Sequence, residues 1–134
     1  MNIGEAAHRS GVSAKMVRHY ESLGLLPPVA RSDGGYRQYG ENEVHVLRFI
    51  KRARELGFAM TEIAELVSLW RNRRRSSATV RKIARKHADE LAERIAAMRE
   101  MQRTLEHLIH CCQGDDRPEC PILDDLAAGV LHPS

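Results

Sequence analysis

The sequence predicts a mostly α protein in which a winged helix-turn-helix unit is followed by a long dimerisation helix and a loop carrying cysteines near the C-terminus. Three observations predict it. Short helical stretches in the first quarter meet at glycine, residues 77–110 contain neither proline nor glycine, and Cys112 and Cys120 bracket the turn Gln-Gly-Asp-Asp-Arg-Pro-Glu. The 134 residues, 43% of them hydrophobic, suffice for one ordinary domain or for two small units that share a partner's surface.

The first helix is expected over Ile3 to Ser10, with Ile3, Ala6 and Ala7 on one side and Gly11 as its stop. Ser13 is placed to cap a second helix, Ala14 to about Leu23, by accepting backbone N–H groups. That helix has Met16, Val17, Tyr20 and Leu23 available for packing, with Lys15, Arg18 and His19 largely elsewhere on its surface. Two short helices joined at a glycine-containing turn form the helix-turn-helix plan, whose second helix enters the major groove of DNA. Pro27-Pro28 then breaks the helical pattern. Asp33-Gly34-Gly35 supplies a reversal, and with Arg31, Tyr36, Arg37 and Tyr39 on its flanks it is expected to form a small wing suited to phosphate oxygens. A third helix, Glu41 to Leu56, carries the stripe Val44, Leu47, Ile50 and Ala53. A fourth runs from Thr61 to about Trp70. Arg71-Asn72-Arg73-Arg74-Arg75 reads as a basic hinge that lies either over DNA or in solvent.

From Ser77 to His110 a continuous helix would be roughly 50 Å long at about 1.5 Å per residue. Ala84, Leu91, Met98 and Leu105 recur every seventh residue, with Val80, His87, Met101 and Leu108 alongside and Arg94 interrupting the second series. A stripe of that length needs a cover, and a second copy in a coiled coil is the simplest. Met98, Met101 and His87 read as interface residues rather than ligands. Pro121 suits the first position of a short helix holding Ile122, Leu123 and Leu126, and Val130 to Ser134 read as a frayed tail. The domains are thus 1–75, the DNA-binding domain with its hinge; 76–110, the dimerisation helix; and 111–134, the metal-binding loop and short C-terminal helix.

Charge follows the same division. Residues 1–75 hold 13 Lys/Arg against 8 Asp/Glu and residues 76–134 hold 8 against 10, so the front half suits a polyanion. No apolar run approaches membrane-spanning length and the start does not read as a secretory signal, so a cytoplasmic setting is expected. There, cysteines argue for thiols or a metal and not for disulfides. Two thiolates can hold one monovalent d10 ion nearly linearly, leaving one negative charge that amides at a helix start, at Ser77 or Pro121, could offset. A four-ligand divalent site from His110, Cys111, Cys112 and Cys120 is the alternative. No Cys-His-acid arrangement for catalysis is visible, so an enzyme is not expected.

The whole chain resembles the mercury-resistance-regulator (MerR) family of bacterial transcription factors, and within it the copper-efflux regulator (CueR/HmrR-like) subgroup. The resemblance is carried by Ile3-Gly4-Glu5-Ala6-Ala7, Val17-Arg18-His19-Tyr20-Glu21, Gly24-Leu25-Leu26, Arg31-Ser32-Asp33-Gly34-Gly35-Tyr36-Arg37, Arg52-Ala53-Arg54-Glu55-Leu56-Gly57-Phe58 and Cys112 through Cys120-Pro121-Ile122. It implies an antiparallel dimer through residues 77–110 and a promoter site between widely spaced elements. It also implies an activator that, once loaded with Cu(I), or with Ag(I) or Au(I) in its place, bends and untwists the DNA for RNA polymerase. DNA contacts are implied for Lys15, Arg18, His19, Arg31, Tyr36, Arg37, Tyr39 and Arg54. Metal ligands are implied at Cys112 and Cys120, with Cys111 as a further candidate. Ser77 stands where sensors of monovalent ions carry serine and many sensors of divalent ions carry cysteine. Two positions differ from the copper pattern: Cys111-Cys112 resembles the paired cysteines of zinc-sensing relatives, and His19 stands where an aromatic ring is common.

Overall fold

In the computed structural model, residues 1–26, 31, 33–35 and 38–129 are described, and six helices account for most of them. They are α1 (Ile3–Ser10), α2 (Ala14–Ser22), α3 (Glu41–Glu55), α4 (Met60–Arg71), α5 (Ser77–Cys111) and α6 (Pro121–Ala128). Two compact units result, Met1–Ala84 and Arg85–Ser134, the division falling inside α5. No helix among the described residues is long and apolar enough to cross a membrane.

Local chemistry sets the helix ends of the first unit. The Asn2 side chain accepts the Glu5 N–H at 2.8 Å, and the Ser13 hydroxyl accepts the Met16 N–H at 3.2 Å, capping α1 and α2. Gly11 leaves α1 at φ 75°, a left-handed conformation that a Cβ would strain, and its N–H donates to Ala7 at 2.9 Å. At the starts of α3 and α4, Glu43 and Glu62 reach back to accept the N–H groups of Gly40 (2.9 Å) and Ala59 (3.0 Å). The four helices then bury one core: Ala6 of α1, Val17 and Tyr20 of α2, Val44, Leu47 and Ile50 of α3, and Ile63 and Val67 of α4. Phe49 and Trp70 stack at 4.7 Å between centroids beside it, on the wall of an open apolar cleft of about 540 Å³.

The expected wing is corrected. Among the described residues there is no strand; Arg31 carries only an isolated bridge, and Asp33-Gly34-Gly35 is a turn. At Tyr39, the far flank of the expected wing, the backbone N–H donates to the Met1 carbonyl at 2.7 Å and the carbonyl accepts from the Met1 nitrogen at 2.7 Å, so both groups pair with the start of the chain. The Arg31 guanidinium donates to the Gly35 carbonyl at 3.0 Å, holding the turn through a side chain instead. Pro27-Pro28, Tyr36, Arg37 and the tail Val130 to Ser134 lie outside the described residues.

The second unit has a different economy of burial. Among its described residues only His87 is buried, whereas Ile95, Met98, Met101, Leu105 and Ile109 of α5 and Leu123 and Leu126 of α6 are exposed. The polar faces of α5 carry ion pairs one turn apart, such as Arg85–Asp89 at 3.3 Å. Among the described residues, this long dimerisation helix therefore presents an exposed apolar stripe.

Candidate DNA-reading head and metal donors

The helix-turn-helix places Lys15, Arg18 and His19 on the exposed surface of α2, while Val17 and Tyr20 anchor the same helix in the core. Three donors from one short helix thus face solvent on a rigid base, as reading of base edges requires. Arg54, on α3, donates to the Tyr20 hydroxyl at 2.7 Å, which ties α3 to α2 while the residue stays exposed. Arg31 is exposed. Tyr39 is not on the surface: it is buried, and its hydroxyl donates to the Glu21 carboxylate at 2.9 Å. It braces the last turn of α2 from inside.

The expectation that metal donors end the fold is also corrected. Among the described residues, donors stand mid-chain on α5, where His87 and Glu90 lie three residues apart. Sequence reasoning named His87 only as an interface residue and passed over Glu90. A His and a Glu three apart on a helix was the available signal, and their side chains meet at 3.9 Å. Asp115 is taken by Arg117, which donates to it from Nε at 2.8 Å and from its backbone N–H at 2.9 Å. These bonds hold the Asp115 carboxyl below its ordinary range, the side-chain bond being the larger cause.

Cys111, Cys112 and Cys120 are free thiols. Cys112 follows the last residue of α5 and Cys120 caps α6. The backbone N–H of Leu123, then that of Ile122 and the nearby Cys112 side chain, hold the Cys120 thiol below its ordinary range against the opposing effect of desolvation. Pro121 opens α6 as its first residue, directly after Cys120 at the N-cap position. Cys111 is exposed, with its sulfur 3.8 Å from Nε2 of His107, a neighbour that the sequence reading missed although the two are four residues apart on one helix. Ser77 is the exposed first residue of α5.

Comparison with known proteins agrees with this architecture. Residues 1–70 match the MerR HTH family regulatory protein model, and residues 44–108 match the model described as MerR, DNA binding. Heavy metal-dependent transcription regulator 2 of Rhizobium meliloti is 54% identical over 129 residues, covering 96% of this chain and 88% of the relative. The HTH-type transcriptional regulator CueR of Salmonella typhimurium is 37% identical over 132 residues, 98% of this chain and 96% of its own. Among solved structures, the transcription regulator PbrR691 of Ralstonia metallidurans, in complex with lead(II), superposes with a TM-score of 0.83 at 32% identity, covering 94% of this chain and 98% of that one. Regulators of this family bind promoter DNA as homodimers and engage RNA polymerase; they are not catalysts. The chain belongs to the MerR family of DNA-binding transcriptional regulators.

Proposed function

We propose that this regulator responds to metal and that its effector is Cu(I), with Ag(I) or Au(I) able to substitute, so that the loaded dimer distorts the promoter of copper efflux or detoxification genes and activates them. The observation that carries the reading is that two thiols flank one short turn, Cys112 just after α5 and Cys120 at the N-cap of α6, with the amides of Leu123 and Ile122 lowering the Cys120 pKa. The donor set fits a soft monovalent ion: two sulfurs complete a linear site, and a helix N-terminus offsets the one residual negative charge. Bound there, the ion would tie the end of α5 to the beginning of α6. Ser77 supports the same choice, since a neutral hydroxyl adds no third thiolate for a divalent ion. Its contribution from the partner subunit follows from the family resemblance.

On the DNA side, Lys15, Arg18 and His19 of α2 are the proposed groove contacts. Arg31 and Arg54, with Tyr36 and Arg37, are the proposed backbone contacts, and Tyr39 acts by bracing α2. The output is deformation of the DNA, so activation needs no large gain in affinity.

A divalent reading, zinc, cadmium or lead, or a mercuric one, is kept for one observation: Cys111 adds a third thiol beside an imidazole. Cu(I) titration of reduced protein against a chromophoric chelator, followed by transcription in vitro, tests the choice. Expected are one Cu(I) per protomer and metal-dependent transcription that Cys112→Ser or Cys120→Ser abolishes and Cys111→Ser leaves in place. Transcription that follows zinc and ignores cuprous ion would overturn the assignment.

A further inference from the structure

We propose that His107 and Cys111 form a second, separate metal site on the last turn of α5, one that takes a borderline divalent cation such as Zn(II) or Co(II). Four residues apart on a continuous helix, the two side chains rise from the same face, and the Cys111 sulfur lies 3.8 Å from Nε2 of His107. That span has a chemical meaning. Metal–sulfur and metal–nitrogen bonds of about 2.3 Å and about 2.0–2.1 Å, meeting at a tetrahedral angle, set the two donor atoms about 3.6 Å apart. A linear arrangement of the same bonds needs about 4.3–4.4 Å. The pair is therefore spaced for two corners of a tetrahedron and too close for the linear geometry preferred by a cuprous ion.

Further observations agree. Both side chains are exposed, so water can supply the remaining ligands. Cys111 is the final residue of α5, where the C-terminal end of the helix dipole places partial negative charge beside any bound cation. The donor set, one thiolate and one imidazole, is of the borderline kind that zinc and cobalt favour over hard cations. Binding releases the thiol proton to solvent and changes no oxidation state.

Co(II) added to the reduced full-length protein is the probe, because sulfur ligation gives a charge-transfer band in the near ultraviolet. In a chain carrying Cys112→Ser and Cys120→Ser together, one Co(II) per protomer and the band are expected to remain. Adding Cys111→Ser should remove the band. His107→Ala should weaken Co(II) binding at least about tenfold, because losing a ligand costs no less than losing a group that merely orients one. Circular dichroism of each variant establishes that α5 is intact. A Cys112→Ser, Cys120→Ser chain with no sulfur-to-cobalt band, or a His107→Ala chain with unchanged affinity, would overturn the proposal. Neither result touches the Cu(I) assignment, whose test rests on Cys112 and Cys120.

Discussion

In the unit Met1–Ala84, Val17, Tyr39, Val44, Leu47, Ile50 and Ile63 are almost wholly withdrawn from solvent, whereas in Arg85–Ser134 Met98 keeps 67% of its surface and Leu105 keeps 51%. The first set comes from three helices and the segment between α2 and α3, and closes within one chain. The second lies on a helix with no covering layer from its own unit, and agrees with a family that works as homodimers. Folding stability is therefore concentrated in the reading head, and assembly in the rod. Substitutions of similar chemistry should have different consequences in the two places.

The largest effect is expected in the head. Ile50→Ala removes a fully buried side chain from the middle of α3 and should cost about 2–5 kcal/mol of unfolding free energy. Urea unfolding followed by circular dichroism measures it, and the loss should not depend on protein concentration. A cost below about 1 kcal/mol would mean that the core relaxes around the cavity, and the contrast between head and rod would lose its basis.

The same contrast explains which parts of the molecule could be read from sequence. Helix ends could be, because they are local: Ser13 as the cap of α2, Gly11 as the left-handed exit from α1, and Pro121 as the first residue of α6 each follow from the residue and its near neighbours. Contacts between distant residues could not. Tyr39 has the composition of a phosphate ligand beside a Gly-Gly turn, but Met1, 38 residues away, takes both its backbone groups, and Glu21, 18 away, accepts its hydroxyl. Arg54 meets Tyr20 across 34 residues. A hairpin signal such as Asp-Gly speaks only for the turn, and the ladder depends on groups that tertiary structure can claim first. The Cys112–Cys120 pair proposed to hold Cu(I) was visible as a spacing because it flanks one loop. His107 was overlooked although it obeys the helical spacing, since attention to the adjacent His110 hid the residue that faces Cys111.

The rod should show the intermediate effect. Leu105→Ala trims the exposed stripe, and if a second copy covers it the loss is about 1 kcal/mol per copy, or about 2 kcal/mol per dimer. The dimer dissociation constant should then rise roughly thirtyfold. Sedimentation equilibrium over a concentration series reads that change directly. The distinguishing result is that thermal unfolding of the variant becomes more dependent on concentration, while its head retains the wild-type circular dichroism. An unchanged dissociation constant would place the dimer contact on another face of α5.

The smallest effect belongs to the surface of the head, where burial plays no part. Arg9 meets Glu41 through two bonds, at 2.5 and 2.9 Å, joining α1 to the start of α3. The guanidinium, chiefly through its hydrogen bond, holds the Glu41 carboxyl below its ordinary range. A carboxyl whose folded pKa is depressed adds stability that is present above its unfolded pKa, and this stability is lost as pH falls through the folded one. Wild-type protein should therefore melt slightly higher than Glu41→Gln at neutral pH, and the difference should shrink towards zero as the buffer is taken below the carboxylate range. Both groups are open to solvent, so added salt should diminish the difference as well. Differential scanning calorimetry at neutral and acid pH, at low and high salt, checks both trends. If the gap widened on acidification, the pair would be opposing the packing of α1 on α3, and the surface of the head would have to be read as strained.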